Sequence, residues 1–278
     1  YGQPGEALYK AGMTTRLNIA VAGSAGRMGR QLIGAALRAG HKVSGGSEAP
    51  GSDEIGKDLG TLGGLDPNGV MVQADVANAA RDANVWIDFT VPAATLSALS
   101  SAGAPAFVIG TTGFSEAEEQ QIKSASASAA IVKAGNFSLG VNLLEALVKQ
   151  AAARLGKDWD IEVAETHHRH KVDAPSGTAL MLGEAAGLGR AQPLNDLRAA
   201  PYDGPDAKRI PGEIGFSVRR SGGVSGDHEV TFASEMEILS LRHTALDRAV
   251  FAYGAIKAAE WVAAQPPGLY DMSDVLGV

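Results

Sequence analysis

Leu17–Gly29 reads LNIAVAGSAGRMG and decides the fold of the first part of the chain. It opens with an apolar run of the kind that parallel sheets bury, and glycine then recurs at every third position. Gly23 permits a tight turn, Gly26 lets the backbone approach a pyrophosphate, and Gly29 lets the next helix pack on the sheet. Because the start of that helix offers free N–H groups and a positive dipole end, the stretch predicts a dinucleotide-binding turn. A glycine-rich turn without a ligand is the alternative.

Strands and helices alternate along the rest of residues 13–137. Val43 begins a weaker strand that leads to Glu48, and Ser115 with Glu118 forms a capping box at the start of a helix. Further predicted strands are Val85–Phe89, Ala106–Ile109 and Ala130–Lys133, and further predicted helices are Met28–Ala39 and Ala93–Ala102. This alternation predicts an α/β fold with a doubly wound parallel sheet.

The pattern changes in residues 138–244. Leu139–Leu155 and Ser176–Leu188 predict helices, and Ile161–Glu165 predicts a strand that runs into a basic loop. Three strand-like runs then follow without intervening helices: Ile214–Arg219, Glu229–Ala233 and Met236–Leu241. This order predicts a second, α+β domain with a mostly antiparallel sheet. Residues 50–69 and 190–212 predict loops, and the apolar helix Ala245–Ala264 is expected to return to the first domain.

Composition excludes several classes of protein. The net charge of -7 argues against a nucleic-acid partner, which usually requires a basic face. The chain has no cysteine, so disulfides and thiolate sites are excluded, and a reducing cytoplasm fits. No apolar run reaches the ~18 residues that cross a bilayer, and no signal peptide is recognisable. Residues 1–12 are Gly-rich and directly precede Met13, so we expect them to be an expression-vector remnant.

Three later segments follow predicted strands and are candidate cofactor contacts. Glu48 lies 19 residues after Gly29, where an acidic residue holds the ribose hydroxyls of a dinucleotide. Gly110-Thr111-Thr112-Gly113 and Ala134-Gly135-Asn136-Phe137 fall at strand ends, where doubly wound folds place their ligands. Ordinary turn chemistry is the alternative for these two loops.

The most informative stretch is ETHHRHKVDAPSGT, residues 165–178. Five consecutive residues, His167 to Lys171, can carry positive charge, which suits an anionic substrate. The histidine spacing matches no common zinc pattern, so we expect no metal. Ser176 is a predicted N-cap, and the N–H groups and Thr178 hydroxyl at this helix start predict a carboxylate site. A solvated basic surface is the alternative.

Several motifs together resemble the 4-hydroxy-tetrahydrodipicolinate reductase family. They are GSAGRMG at 23–29, DFTVP at 88–92, GTTGF at 110–114, GNFSLGVN at 135–142 and ETHHRHKVDAPSGTA at 165–179. The resemblance implies a Rossmann-like dinucleotide-binding domain at 13–137, a substrate domain with a mixed sheet at 138–244, and a C-terminal segment at 245–278 that returns to the first domain. It also implies a homotetramer that uses NADH or NADPH to reduce a small cyclic dicarboxylate, with loss of water, in lysine biosynthesis.

Site residues follow from the matched motif positions. The resemblance implies His167 and Lys171 as catalytic residues. It implies substrate contacts at His168, Gly177 and Thr178, and the predicted carboxylate site at the helix start adds Ser176. It implies cofactor contacts at Gly23, Ser24, Ala25, Gly26, Arg27, Met28, Glu48, Gly110, Thr111, Thr112, Ala134, Gly135, Asn136 and Phe137.

Two departures affect the choice between NADH and NADPH. Some family members carry arginine directly after the acidic residue and after the Phe-Thr of DFT, where this chain has Ala49 and Val91. Both differences remove positive charge that would bind a 2′-phosphate, although Arg27 and Lys42 remain as possible partners.

The implied reaction adds hydride to a cyclic unsaturated imine and then a proton to the resulting enamine. An unperturbed lysine has a pKa near ~10.4 and is protonated at neutral pH, so we favour Lys171 as donor and His167 as a polarising or shuttling group. Two rival functions remain: another two-domain dehydrogenase of amino-acid metabolism, such as an aspartate or homoserine dehydrogenase, and a non-catalytic nucleotide sensor.

Overall fold

The computed structural model describes residues 15–278, so the expectation for residues 1–12 and Met13 lies outside the described part. The chain forms two compact units. The first runs to Gly135 and includes Ala255–Asp271, and the second consists of Asn136–Gly254 and Met272–Val278. No helix within residues 15–278 has the length and apolar character needed to cross a membrane.

Strands and helices are numbered in chain order. The strands are β1 (Asn18–Ala22), β2 (Lys42–Ser47), β3 (Val85–Asp88), β4 (Ala106–Ile109), β5 (Ala130–Lys133), β6 (Asp160–His167), β7 (Ile214–Arg220), β8 (Asp227–Ala233), β9 (Ile238–Thr244) and β10 (Gly268–Tyr270). The helices are α1 (Arg27–Arg38), α2 (Leu59–Leu62), α3 (Val76–Ala80), α4 (Pro92–Ser101), α5 (Glu116–Ala125), α6 (Leu139–Arg154), α7 (Gly177–Gly189), α8 (Leu194–Leu197), α9 (Ala249–Val262) and α10 (Met272–Leu276).

The first unit is built on a parallel sheet with the strand order β10-β5-β4-β3-β1-β2. The predicted doubly wound α/β fold is confirmed. The chain order reverses at β1, which lies between β2 and β3, and such a switch point is where open α/β sheets bind ligands. Trp86, Phe107 and Ile131 belong to the core on this sheet and are almost completely buried.

Local chemistry explains where the elements begin. The capping box predicted at Ser115 and Glu118 is confirmed at the start of α5. The loop predictions for 50–69 and 190–212 are wrong in part, because they contain α2 and α8. Asp58 caps α2 by accepting the Thr61 N–H at 3.0 Å, and a single turn of this kind has too few residues to show helical periodicity.

The second unit contains a mixed sheet with the strand order β7-β6-β8-β9. β6 pairs in parallel with β7 and antiparallel with β8, and β9 adds to β8 antiparallel. The predicted end of this strand at Glu165 is corrected, because β6 continues through His167. His167 pairs with Arg220 of β7, and its carbonyl accepts the Ser221 N–H at 2.8 Å.

Candidate active site

The glycine turn after β1 takes the conformation that its glycines allow. Gly23 has a φ of +57°, in the left-handed region, and its carbonyl accepts the Gly26 N–H at 3.0 Å. A Cβ atom added at Gly29 would lie 2.1 Å from the Gly23 carbonyl oxygen. A larger residue at position 29 would therefore push α1 away from the turn.

Helix α1 begins with unpaired backbone donors. Its N-cap, Gly26, provides no side-chain hydrogen bond, and its first turn holds no acidic residue. Within residues 15–278, the N–H groups of Arg27, Met28 and Gly29 have no hydrogen-bond partner. Such donors at the positive end of a helix dipole fit a phosphate group, and the exposed Arg27 adds positive charge beside them.

Glu48 follows β2 and reaches back to the glycine turn. Its Oε1 accepts the Ala25 N–H at 2.8 Å, while its Oε2 has no partner in the described part of the chain. This leaves one carboxylate oxygen for ribose hydroxyls. Ser24, by contrast, is fully buried, and its N–H and hydroxyl donate to the Ser47 carbonyl at 3.0 and 3.3 Å. The Ser24 side chain therefore ties the turn to β2 instead of facing a ligand.

A cavity of about 450 Å³ lies at the carboxyl ends of β1, β2 and β3. Glu48, Asp88 and Trp86 contribute to its lining, and no lysine or arginine is among the described residues that line it. Lys42 begins β2 at the other edge of the sheet, about 20 Å of extended chain from Glu48. The expectation that Lys42 contacts a phosphate beside Glu48 is therefore wrong.

Thr111 connects two of the loops at this edge of the sheet. Its hydroxyl donates to Asp88 Oδ1 at 3.2 Å and accepts the Thr90 N–H and the Thr95 hydroxyl, both at 2.9 Å. The Thr111 side chain is buried. It therefore fixes the loop after β4 to the loop after β3. Only the backbone atoms of Thr111 remain for a contact with a cofactor.

The neighbouring cofactor candidates differ in exposure. Gly110 lies under the Phe89 ring, since an added Cβ atom would come within 2.2 Å of that ring. Thr112 is exposed, and Ala134 and Gly135 follow β5 at the same edge of the sheet, half-buried and exposed respectively. These four residues thus share the ligand-binding edge of the parallel sheet.

Asn136 and Phe137 belong to the second unit, so the predicted cofactor segment crosses the boundary between the units. Asn136 Oδ1 accepts the Ser138 N–H at 2.8 Å, and its Nδ2 donates to Thr178 Oγ1 at 3.1 Å. Phe137 is buried. Asn136 therefore also supports the predicted substrate site at Thr178.

Strand β6 places two polar side chains on its buried face, which belongs to the core of the second unit. Its buried positions alternate, so Glu165 and His167 continue the face that begins with Ile161 and Val163. Glu165 is almost fully buried, and its Oε1 accepts the Ser176 N–H at 3.0 Å. Its Oε2 is hydrogen-bonded to His167 Nδ1.

Two neighbouring strands complete this buried cluster. Arg220 of β7 forms two parallel hydrogen bonds to the Glu165 carboxylate, at 3.0 and 3.1 Å. Burial by itself would raise the pKa of Glu165, but the hydrogen bonds from Arg220, His167 and the Ser176 N–H outweigh it and hold the pKa below its usual range. His228 of β8 packs edge-on against the His167 ring, with 5.0 Å between the ring centroids.

His228 is neutral at physiological pH. Burial, with a smaller contribution from the nearby His167, lowers the pKa of His228 to about 4. Its Nε2 is hydrogen-bonded to Ser176 Oγ at 3.1 Å. His228 thus supports Ser176 and adds no charge to the cluster.

The carboxylate, His167 and His228 also resemble a metal-binding group, with candidate ligand atoms within 4.8 Å of one another. The Glu165 oxygens are already bonded to Arg220, whose positive charge opposes a cation at this place. The prediction of no metal stays a prediction.

Lys171 lies on the loop after β6 and is paired with an acid. Its Nζ donates to both carboxylate oxygens of Asp173 at 2.8 Å. The hydrogen bond from Lys171 lowers the pKa of Asp173, so this carboxylate is ionised at neutral pH. His168 is half-buried, and its Nδ1 is buried without a partner among residues 15–278.

Helix α7 begins with free backbone donors that form a candidate anion cradle. Ser176 caps it by accepting the Ala179 N–H at 3.1 Å, while the N–H groups of Gly177 and Thr178 have no partner within residues 15–278. Gly177 is exposed and faces open space. The expectation that Ser176 contacts the substrate directly is corrected: its N–H and hydroxyl are already bonded inside the protein, so Gly177 and Thr178 hold the free donors.

Sequence reasoning missed Glu165, Arg220, His228 and Asp173 as parts of this site. The available signal was the alternation of β6, which places Glu165 and His167 on the apolar face of the strand. Arg220 and His228 had no such signal, because only the pairing of β7 and β8 with β6 brings them to that face.

Comparisons with known proteins show which family this chain is similar to. Residues 17–137 match the family model "Dihydrodipicolinate reductase, N-terminus", and residues 140–276 match "Dihydrodipicolinate reductase, C-terminus". A 4-hydroxy-tetrahydrodipicolinate reductase of Parvibaculum lavamentivorans is 53% identical over 96% of this chain and 100% of its own length. One from Afipia carboxidovorans is 50% identical over 94% of this chain and 97% of its own. A solved dipicolinate-bound dihydrodipicolinate reductase from Paenisporosarcina sp. TG-14 shares the fold, with a TM-score of 0.73 at 21% identity over 92% of this chain and 97% of that one.

Proposed function

The chain belongs to the dihydrodipicolinate reductase family, and we propose that the glycine turn with Glu48 is its cofactor site and the start of α7 its substrate site. It is an oxidoreductase that reduces 4-hydroxy-tetrahydrodipicolinate to tetrahydrodipicolinate in the diaminopimelate route of lysine biosynthesis. The observation that carries the activity is the near-complete alignment with relatives of that name at about half identity. The assay that tests it is NADH oxidation with enzymatically generated 4-hydroxy-tetrahydrodipicolinate. No oxidation above the rate without enzyme would contradict the activity.

The cofactor proposal is supported by the fit of the first unit to a dinucleotide. The free N–H groups at the start of α1 suit its pyrophosphate, and Glu48 Oε2 suits its ribose. When bound, the reduced nicotinamide supplies the hydride. The residues of this unit bind and orient the cofactor, and Trp86 in the cavity lining provides a fluorescent reporter of binding.

The cofactor preference gives a first prediction. We expect kcat/KM with NADH to equal or exceed that with NADPH, because Glu48 repels a 2′-phosphate and the cavity lining contains no described lysine or arginine. The measurement is kcat/KM for both cofactors at one ionic strength. A preference for NADPH of about tenfold or more, equivalent to ~1.4 kcal/mol, would contradict it.

A gain-of-contact variant tests the same point. Ala49→Arg places a cation directly after Glu48, at the mouth of the cavity. We expect kcat/KM with NADPH to rise by about tenfold or more, since a hydrogen bond to a charged group contributes ~1.5–3 kcal/mol. The value with NADH should change little, which separates a phosphate contact from a general effect.

The substrate is a small dicarboxylate, and we place one of its carboxylates at the start of α7. The unpaired N–H groups of Gly177 and Thr178 and the positive end of the helix support this placement. His168 is the neighbouring candidate for a second contact. The dipicolinate-bound relative from Paenisporosarcina carries a ligand with the same two carboxylates.

Lys171 and His167 have different proposed roles in the proton transfer. We assign proton donation to Lys171, which arrives as a cation paired with Asp173 and must exchange that partner for substrate. His167 Nδ1 is held by Glu165, so its Nε2 is the atom left to polarise the substrate or shuttle a proton.

The assembly is proposed to be a homotetramer in the cytoplasm. Strand β9 lies at the sheet edge, and Ile238 and Met236 are 69% and 92% exposed in the single chain. Exposed apolar edge strands favour pairing with another copy. We expect light scattering to give four times the chain mass and Ile238→Lys to lower it, whereas a monomeric wild type would contradict the assembly.

A further inference from the structure

We propose that Arg220 and Glu165 form a positioning pair, joined by their two parallel hydrogen bonds, that orients His167 and anchors the loop carrying Lys171. Neither residue touches the substrate in this proposal. It rests on the roles assigned above to His167 and Lys171.

Sheet register brings the pair together at the end of β6. Arg220 is the β7 partner of His167, and His228 is the β8 partner of Glu165. In a pleated sheet, laterally paired residues point to the same face, so these four side chains share the buried face. An arginine beside a buried carboxylate supplies a planar fork that matches both oxygens.

The guanidinium also reaches the loop after β6. Arg220 Nη2 donates to the Asp173 carbonyl oxygen at 2.6 Å, in addition to its bond to Glu165 Oε1. Asp173 is the residue whose side chain holds Lys171. One arginine therefore fixes the strand that carries His167 and the loop that carries Lys171 relative to each other.

Glu165 determines which nitrogen of His167 is free. Its carboxylate is ionised and can only accept hydrogen bonds, so His167 Nδ1 carries the hydrogen between them. His167 Nε2 then points towards Gly226, where an added Cβ atom would lie 3.1 Å away. Nε2 is thus the nitrogen that exchanges a proton, and the small residue at 226 leaves it uncrowded.

The same carboxylate also supports the anion cradle. Glu165 Oε1 accepts the Ser176 N–H at 3.0 Å, directly before the free donors of Gly177 and Thr178. One carboxylate oxygen bonds to His167 and the other to the Ser176 N–H, so Glu165 fixes the position of the histidine relative to the start of α7. Turnover is therefore expected to depend on Glu165 through His167.

A double-mutant cycle tests this dependence. Glu165→Gln is measured alone and together with His167→Ala, and kcat and KM are determined for all four proteins of the cycle. We expect Glu165→Gln to lower kcat by about 10²-fold in the wild type, the effect of misplacing a reacting group. In the His167→Ala background it should lower kcat by less than about threefold, because the group it positions is already gone.

Arg220→Lys provides the second arm, since lysine keeps the charge but loses the fork. It should lower kcat by about tenfold or more in the wild type and by less beside His167→Ala, where only its effect on the loop of Lys171 remains. Arg219→Lys is the matched control: Arg219 is the preceding residue on β7, is exposed, and bonds Thr166. It should leave kcat unchanged. Should Glu165→Gln fail to fold, as judged by thermal unfolding, the Arg220→Lys cycle decides.

The outcomes separate this inference from the proposed function. Equal losses of kcat in both backgrounds would mean that the pair does not act through His167, and the inference would be overturned while the role of His167 stands. Near-normal turnover of His167→Ala alone would overturn the role of His167 itself.

Discussion

Lys171→Ala is expected to lower kcat by about 10²–10⁴-fold, the range for losing a general acid. Lys171 is the one cation of the loop after β6 whose ammonium group is held by two hydrogen bonds to a carboxylate, Asp173. That pair holds the ammonium group in place until substrate arrives. Alanine removes the ammonium group, so protonation of the enamine is left to water.

Two controls distinguish proton donation by Lys171 from a general effect of removing a positive charge. NADH affinity, followed by Trp86 fluorescence, should stay within about twofold of wild type, since Lys171 lies outside the segments proposed to bind the nucleotide. Lys157→Ala, which removes an exposed lysine from the second unit, should leave kcat unchanged. If Lys171→Ala keeps near-normal turnover, Lys171 is part of a charged surface and the proton comes from another group.

The asymmetry between the two units explains how much the sequence could predict. In the first unit, the proposed ligand contacts come mostly from consecutive backbone groups. Glycine at every third position is a local sequence pattern that predicts these groups. Gly29 illustrates this, because a Cβ atom added there would lie 2.1 Å from the Gly23 carbonyl oxygen. The fold and the turn were therefore predictable from local sequence.

In the second unit, the site depends on lateral pairing of strands. Glu165 was predictable in principle, since it continues the alternation of Ile161 and Val163. Arg220 and His228 were not, because the register of β7 and β8 against β6 is set by long-range contacts. The basic loop identified the site, but the side chains that orient it lie roughly 50–60 residues further along the chain, and local patterns carry no information on pairing at that separation.

The role of Ser176 shows a further limit. As an N-cap next to a predicted anion site it was expected to bind substrate. Its N–H is bonded to Glu165 and its hydroxyl to His228 and the Ala179 N–H. A capping motif specifies the start of a helix, but it does not specify which of the free donors remain after the surrounding structure has formed.

Gly177→Val is expected to raise KM sharply and to weaken inhibition by pyridine-2,6-dicarboxylate in parallel. An added Cβ atom would meet nothing within 4 Å in the protein, and Gly177 does not need a positive φ, so we expect valine to block the incoming carboxylate without disturbing the fold. Each charge-assisted hydrogen bond lost costs ~1.5–3 kcal/mol, which is about tenfold or more in the inhibition constant. NADH binding should remain intact.

Thr178→Val tests the hydroxyl alone. Thr178 Oγ1 accepts from Asn136 Nδ2 at 3.1 Å, which leaves its own hydrogen free to donate to a carboxylate. Valine keeps the backbone donors, so KM and the inhibition constant should rise more mildly than for Gly177→Val. Gly223→Val is the matched control for Gly177→Val. Like Gly177, Gly223 is exposed, has no positive φ, and an added Cβ atom there would meet nothing within 4 Å.

The inhibitor series then locates the cradle. Pyridine-2,6-dicarboxylate is expected to compete with substrate and to bind more tightly than a pyridine monocarboxylate, which lacks one set of charge-assisted hydrogen bonds worth roughly 1.5–3 kcal/mol each. If one carboxylate sits on the N–H groups of Gly177 and Thr178, Gly177→Val removes most of the advantage of the dicarboxylate, whereas Gly223→Val retains it. A dicarboxylate that binds no better than the monocarboxylate, or one that Gly177→Val leaves unaffected, would place the carboxylate away from the start of α7.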